Sequence, residues 1–264
     1  MRKIVSILAL GTSLSSLASI DRAKSLYENS KSSARYLEVA EALMESKLYF
    51  SAVPFVKEYL VSRNRVNGQK LDQVMDQLIT QVGVKQFEVM PTSVLQKIDS
   101  SLVSYVLGKK FFRTGKYEDA LREVQRAVSG NHPIKPFSLL LEGSAYSLMG
   151  NHKAAIPAYK ECIDRSNSLM GKAQDKIKRD QIEINRDYCI IGIARAKFAD
   201  GNYEEANLDY LDLPKSSFVW PEILFEEAWN SFYMNDYNRA LGKLVTYKAP
   251  VLNFVFNPEI EILK

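Results

Sequence analysis

One short pattern recurs along the chain and leaves few folds open to it. Gly115-Lys-Tyr117-Glu-Asp-Ala120-Leu121 is repeated as Gly150-Asn-His152-Lys-Ala-Ala155-Ile156, as Gly201-Asn-Tyr203-Glu-Glu-Ala206 and as Asn235-Asp-Tyr237-Asn-Arg-Ala240-Leu241. The ring-bearing residues are spaced 35, 51 and 34 apart, and an earlier copy, Lys47-Leu-Tyr49-Phe-Ser-Ala52-Val53, lies 68 before Tyr117. A turn residue, a ring and a small residue at fixed offsets describe the start of a helix after a tight turn. Tyr117, Leu121, Val124 and Val128 then follow the three- and four-residue spacing of a helix with one buried face. A unit of this length cannot bury its apolar face alone, so copies must stack.

A preceding helix completes each unit. Tyr36-x2-Val39-Ala40-x2-Leu43 leads to Ala52-x3-Val56, and Ser104-x2-Leu107-Gly108-x2-Phe111 leads to Ala120-x3-Val124. Leu139-x2-Glu142-Gly143-x2-Tyr146 leads to Ala155-x3-Tyr159, Ile190-x2-Ile193-Ala194-x2-Lys197 to Ala206-x3-Tyr210, and Leu224-x2-Glu227-Ala228-x2-Ser231 to Ala240-x3-Leu244. This resembles the tetratricopeptide repeat, a helix-turn-helix unit with the signature W-x2-L-G-x2-Y followed by A-x3-F. The tryptophan is missing throughout, and Lys197 and Ser231 stand where an aromatic is expected. The resemblance implies an all-α solenoid of antiparallel helix pairs in a right-handed superhelix. Repeats are expected near 33–66, 101–135, 136–186, 187–220 and 221–257, with a degenerate one at 67–100. Gly108, Gly143, Ala194 and Ala228 are expected where two helices cross closely, each against a small partner.

Two stretches break the period. In 67–100, Leu71, Val74, Leu78 and Val82 predict one helix and Val94, Leu95 and Ile98 another after Pro91. The 51-residue step exceeds a period by 17, and the charged run Lys172–Arg186, with Ile177, Ile184 and Ile191 seven apart, predicts an extended following helix with a solvated face. At the end of the chain Asn257-Pro-Glu-Ile260 echoes Trp220-Pro-Glu-Ile223, so 258–264 reads as the start of another unit. An uncapped last repeat leaves a longer native protein or self-association as options.

The first residues are of another kind. Met1-Arg2-Lys3 precedes the apolar run Ile4–Leu10, and Ser16 and Ala18 provide small residues for cleavage before Ser19. This predicts a signal peptide over 1–18, a leader over 19–32, and a periplasmic or otherwise exported protein. The apolar run is too short to span a bilayer. With Arg2 and Lys3 removed, 33 basic residues face 31 acidic ones, which does not favour nucleic-acid binding. Cys162 and Cys189 sit where small buried residues are wanted, and two core thiols are favoured over a bridge, although an oxidising compartment permits one.

No chemistry stands out. His132 precedes a proline in a loop and His152 replaces a turn aromatic; no P-loop, dinucleotide fingerprint, H-E-x-x-H or C-x-x-C occurs. No catalytic residue, metal or cofactor is nominated, and no small-molecule substrate. The resemblance instead implies a concave wall, lined by first helices, that binds a partner peptide or helix. Its inward positions here are Tyr105, Lys109, Phe112 and Arg113, then Phe137, Tyr188, Arg195 and Phe198, then Phe225, Trp229, Phe232 and Tyr233. Aromatics with arginines are the composition of interface anchors. The expected function is a non-enzymatic scaffold of the bacterial envelope, resembling components of gliding, secretion or pilus machinery. The alternatives are a regulatory adaptor in a motility or polarity pathway contacting a small GTPase, and the N-terminal part of a protein with a downstream catalytic domain.

Overall fold

The computed structural model describes residues 18–29, 35–62 and 68–247. The signal segment up to residue 17 and the further unit expected at 258–264 lie outside the described residues. Every regular element among those described is helical. The chain divides into two compact units at Thr114–Gly115, so the expected repeat 101–135 contributes one helix to each.

The first unit contains α1 (18–28), α2 (Tyr36–Glu45), α3 (Tyr49–Val61), α4 (Gly68–Val82), α5 (Lys85–Glu88), α6 (Thr92–Leu95) and α7 (Ser101–Arg113). The segment read as a leader is not outside the fold. Ala23 of α1 is buried with Val39 and Ala42 of α2, against Leu43 and Phe55. An Arg22–Glu45 ion pair at 3.1 Å adds an exposed link. The degenerate repeat has its first helix, α4, which buries Leu71, Val74, Met75 and Leu78. Its second is broken into α5 and α6, of four residues each, because Pro91 stands between them. Asp72 of α4 ties α7 down: its carboxylate accepts from the Ser100 hydroxyl (2.5 Å) and the Leu102 amide (3.2 Å) at the start of that helix.

The second unit contains α8 (Tyr117–Val128), α9 (Lys135–Leu148), α10 (His152–Met170), α11 (Lys176–Ala199), α12 (Tyr203–Leu211), α13 (Trp220–Tyr233) and α14 (Tyr237–Tyr247). Each helix packs on the next, and α9 also on α11, as stacked antiparallel hairpins require. The insertion lengthens both arms of one hairpin rather than α11 alone. α10 has 19 residues against 12 in α8, and α11 has 24 against 14 in α9, which together accommodate the 17 extra residues. Along α11 the three isoleucines pass from half-exposed Ile177 through half-buried Ile184 to fully buried Ile191, so the extension does emerge into solvent.

The turns share one backbone conformation. Lys47, Gly115, Gly150, Gly201 and Asn235, the aligned turn residues, all have φ between 60° and 78°. Four of these turns carry the same pair of helix-ending bonds: Leu48 N to Leu43 O, Asn151 N to Tyr146 O, Asn202 N to Lys197 O and Asp236 N to Ser231 O, each with a shorter-range partner one residue earlier. Only glycine takes this backbone without cost. Lys47→Gly is therefore expected to raise stability by about 0.5–1 kcal/mol, and Asn235→Gly by less, since asparagine tolerates the left-handed region. Urea unfolding midpoints check both.

The close crossings differ from expectation at Gly143. A Cβ there would lie 2.6 Å from the ring of Tyr159, and one at Gly192 would lie 2.5 Å from the same ring. The partner of these glycines is a large aromatic, not a small residue. Tyr159 of α10 is buried between α9 and α11, and its hydroxyl lies 3.3 Å from the Ser147 hydroxyl.

Cys162 of α10 and Cys189 of α11 form a disulfide, correcting the expectation of two thiols. Both sites are buried small positions as read, but on facing helices their Cα atoms come within 6.4 Å, inside bonding range. Sequence distance carries no information on that approach. Lys197, in the place of the signature aromatic, instead pairs with Asp209 (2.7 Å) and Glu205 (3.4 Å) of α12.

Candidate protein-binding cleft

The first-helix positions named from sequence fall in both units. On α7, Tyr105 is buried, and burial raises its hydroxyl well above the usual range. Lys109 beside it is held below the usual lysine value by burial and then by the Arg113 charge. Arg113 is committed to Glu88 at 2.9 Å, while Phe112 is half-buried. Tyr105 thus belongs to the interior of its unit, and Arg113 is engaged at its edge.

In the second unit, Phe137 of α9 lies under the Lys178 ammonium, 5.4 Å from its ring centre. The Tyr188 hydroxyl of α11 donates to Glu222 of α13 at 3.2 Å; burial first, then that carboxylate, raises its pKa. The remaining residues gather in one place. Arg195 and Phe198 of α11, Tyr210 of α12, and Phe225, Glu226, Trp229 and Tyr233 of α13 line a cavity of about 400 Å³. That volume is within the range of small ligand pockets and holds a few side chains.

Helical spacing explains the convergence. Phe225, Trp229 and Tyr233 are four apart and share one face of α13, as Arg195 and Phe198 do on α11. The rings form one continuous cluster. Trp229 is 6.3 Å from Phe225, 6.1 Å from Tyr233 and 5.7 Å from Phe232. Tyr233 stacks on Tyr203 at 5.0 Å and meets Phe198 edge-on at 5.5 Å. Phe232 is exposed beside the cleft rather than in its wall, touching Tyr237 at 5.5 Å.

The polar part of the cleft is a three-residue network. Arg195 donates to both carboxylate oxygens of Glu226, at 2.8 and 2.5 Å, and the Tyr210 hydroxyl donates to one of them at 3.1 Å. Burial opposes the charge on Arg195, but the hydrogen bonds and charge of Glu226 outweigh it and raise the guanidinium pKa. Burial, then Glu226, pushes the Tyr210 hydroxyl far above its ordinary value. The pair is partly exposed, so it adds little stability, and its effect is to fix the rim and cancel its charge.

Sequence reading missed Tyr210 and Glu226. Tyr210 occupies a packing position of a second helix, and Glu226 is one of many carboxylates, 31 residues from its partner. Neither carries a local signal.

A neighbouring buried carboxylate gives a pH test. Glu227, 4% exposed, accepts from Lys243 at 2.6 Å. Burial raises its pKa against the opposing pull of Lys243. A folded-state pKa above the unfolded value means that folding favours the protonated form, so this group's contribution improves as pH falls through the raised pKa. Urea titrations from pH 7 towards pH 5 are expected to show this gain in the native chain and to lose it in Glu227→Gln.

Among the described residues no helix is long and apolar enough to cross a membrane. Residues 138–168, covering α9 from Ser138 and most of α10, match the family model described as tetratricopeptide repeat. No curated protein matches the sequence. Among solved structures, one similar to this chain is the crystal structure of YrrB, described as a TPR protein with an unusual peptide-binding site. The identity is 12%, with 85% of this chain and 89% of that chain covered, at a TM-score of 0.44. Residues 138–168 thus match a tetratricopeptide repeat, and the described residues form antiparallel helix pairs with no strand among them.

Proposed function

We propose that the chain is a non-enzymatic protein-binding scaffold of the bacterial cell envelope, which captures a peptide or helix of a partner in the α11–α13 cleft. The observation that carries this reading is the convergence of Arg195, Phe198, Phe225, Trp229 and Tyr233 on one cavity, with Phe232 and Tyr233 exposed at its edge. Rings with a fixed guanidinium are what energetic anchors of interfaces are made of. Export is supported by the basic-apolar-small pattern of the first 18 residues and by the Cys162–Cys189 bridge, since disulfides persist in oxidising compartments. Cleavage after Ala18 would leave α1 nearly whole. A place in gliding, secretion or pilus machinery is the narrower form of the proposal.

A photocrosslinking amino acid at position 233 in the native host is expected to trap an envelope protein. Trp229→Ala should reduce that capture at least tenfold with helicity unchanged. Loss of helicity would instead assign Trp229 to the core. Mass spectrometry of the purified protein should find Ser19 at its N-terminus; an intact Met1 would remove the export half of the reading.

A further inference from the structure

We propose that the occupant of the α11–α13 cleft is an uncharged, proline-rich segment in the polyproline II conformation. This rests on the scaffold reading above and narrows it to one class of partner.

Charge is the first argument. The only ionised side chains in the wall are Arg195 and Glu226, and they neutralise each other through two hydrogen bonds. A charged residue entering the cleft would lose water and gain no opposite partner, so the cleft selects a segment without charge.

Hydrogen bonding is the second. Both oxygens of Glu226 are engaged, by Arg195 and Tyr210, so the wall's one carboxylate is already committed. The donors are not. The Trp229 indole N–H, which can only donate, and the Tyr233 hydroxyl have no hydrogen-bond partner among the described residues. The cleft therefore holds a donor-only indole that an incoming free carbonyl would satisfy. An α-helix keeps its carbonyls for itself and would cover the indole N–H without satisfying it. An ordinary extended strand presents N–H groups as well as carbonyls. A proline-rich segment presents free carbonyls and few or no N–H groups, and its conformation is already set before binding.

Shape is the third. The rings of Phe198, Phe225, Trp229 and Tyr233 meet mostly edge to face, with interplanar angles of 73° for Phe198–Tyr233 and 82° for Phe225–Trp229. Rings locked together in this way present a rigid apolar wall to the cavity, and the pyrrolidine rings of a proline-rich segment dock on aromatic-lined grooves.

The test uses the mature full chain with three probes: a fluorescein-labelled peptide of four Pro-Pro-Ala triplets, an amphipathic Ala/Leu helical peptide of equal length, and a soluble β-linked N-acetylglucosamine oligomer. Fluorescence anisotropy is expected to show the proline peptide binding at least tenfold tighter than the helix. Trp229→Ala should weaken it more than tenfold. Tyr233→Phe, which keeps the exposed ring and removes only the hydroxyl, should weaken it about fivefold, the value of one hydrogen bond. Equal or tighter binding of the helical peptide, binding of the saccharide alone, or binding of no probe would overturn the proposal. Crosslinking at position 233 separates the two levels. A trapped protein with no proline-peptide binding sinks only the proline assignment, whereas an empty crosslink and no probe binding sink the scaffold reading too.

Discussion

Tyr159→Ala is expected to cost about 3–5 kcal/mol, the range for removing a buried aromatic from a packed core. The ring is 4% exposed and fills the space between α9 and α11 at the two positions where those helices carry glycine. Without it, α10 loses one large buried contact that it shares with both neighbours. The reciprocal change is equally informative. A methyl at Gly192 would have to sit 2.5 Å from the ring, so Gly192→Ala should destabilise by about 1–3 kcal/mol although alanine is the better helix former. In the Tyr159→Ala background the clash is gone and only helix propensity remains, so Gly192→Ala should there gain up to about 1 kcal/mol. Urea denaturation of the four proteins measures this cycle. Additive effects would show that ring and glycine do not share a site.

Loss of the bridge between α10 and α11 is the other large effect. Cys162 and Cys189 close a loop of 27 residues, and the entropy of such a loop in the unfolded chain corresponds to about 3.5 kcal/mol. The Cys162→Ala, Cys189→Ala protein should therefore unfold at lower urea by that amount. Reductant should move the native protein to the same midpoint and leave the double variant unchanged. A native protein indifferent to reductant under unfolding conditions would mean that the sulfurs are not joined. The bridge lies in the buried core of this unit, packed with Leu139 of α9, Tyr159 of α10 and Ile193 of α11, so its loss also disturbs the packing around it.

The parts of the fold that were readable share a local cause. Helix starts, turn residues and the repeat register depend on neighbours within a few positions. Lys47 and Asn235 could thus be aligned with three glycines, and all five adopt the same left-handed backbone. The face of α13 was also legible, because Phe225, Trp229 and Tyr233 obey a four-residue spacing. Pro91 marked where a helix must restart, so α6 was legible; the four-residue α5 ahead of it was not, because so short a turn carries no periodicity.

Local spacing determined that this chain is a series of helical hairpins, which residues begin each helix, and which aromatic stripe one of those helices presents. Tertiary structure alone decided that Gly143 and Gly192 close on Tyr159, that two cysteines 27 residues apart are bonded, and that Glu226 and Tyr210 complete the cleft around Arg195. The reason is physical: a helix's own hydrogen bonds and periodicity are set within one or two turns, whereas contacts between helices depend on how the hairpins stack, and nothing within one turn of sequence encodes that distance.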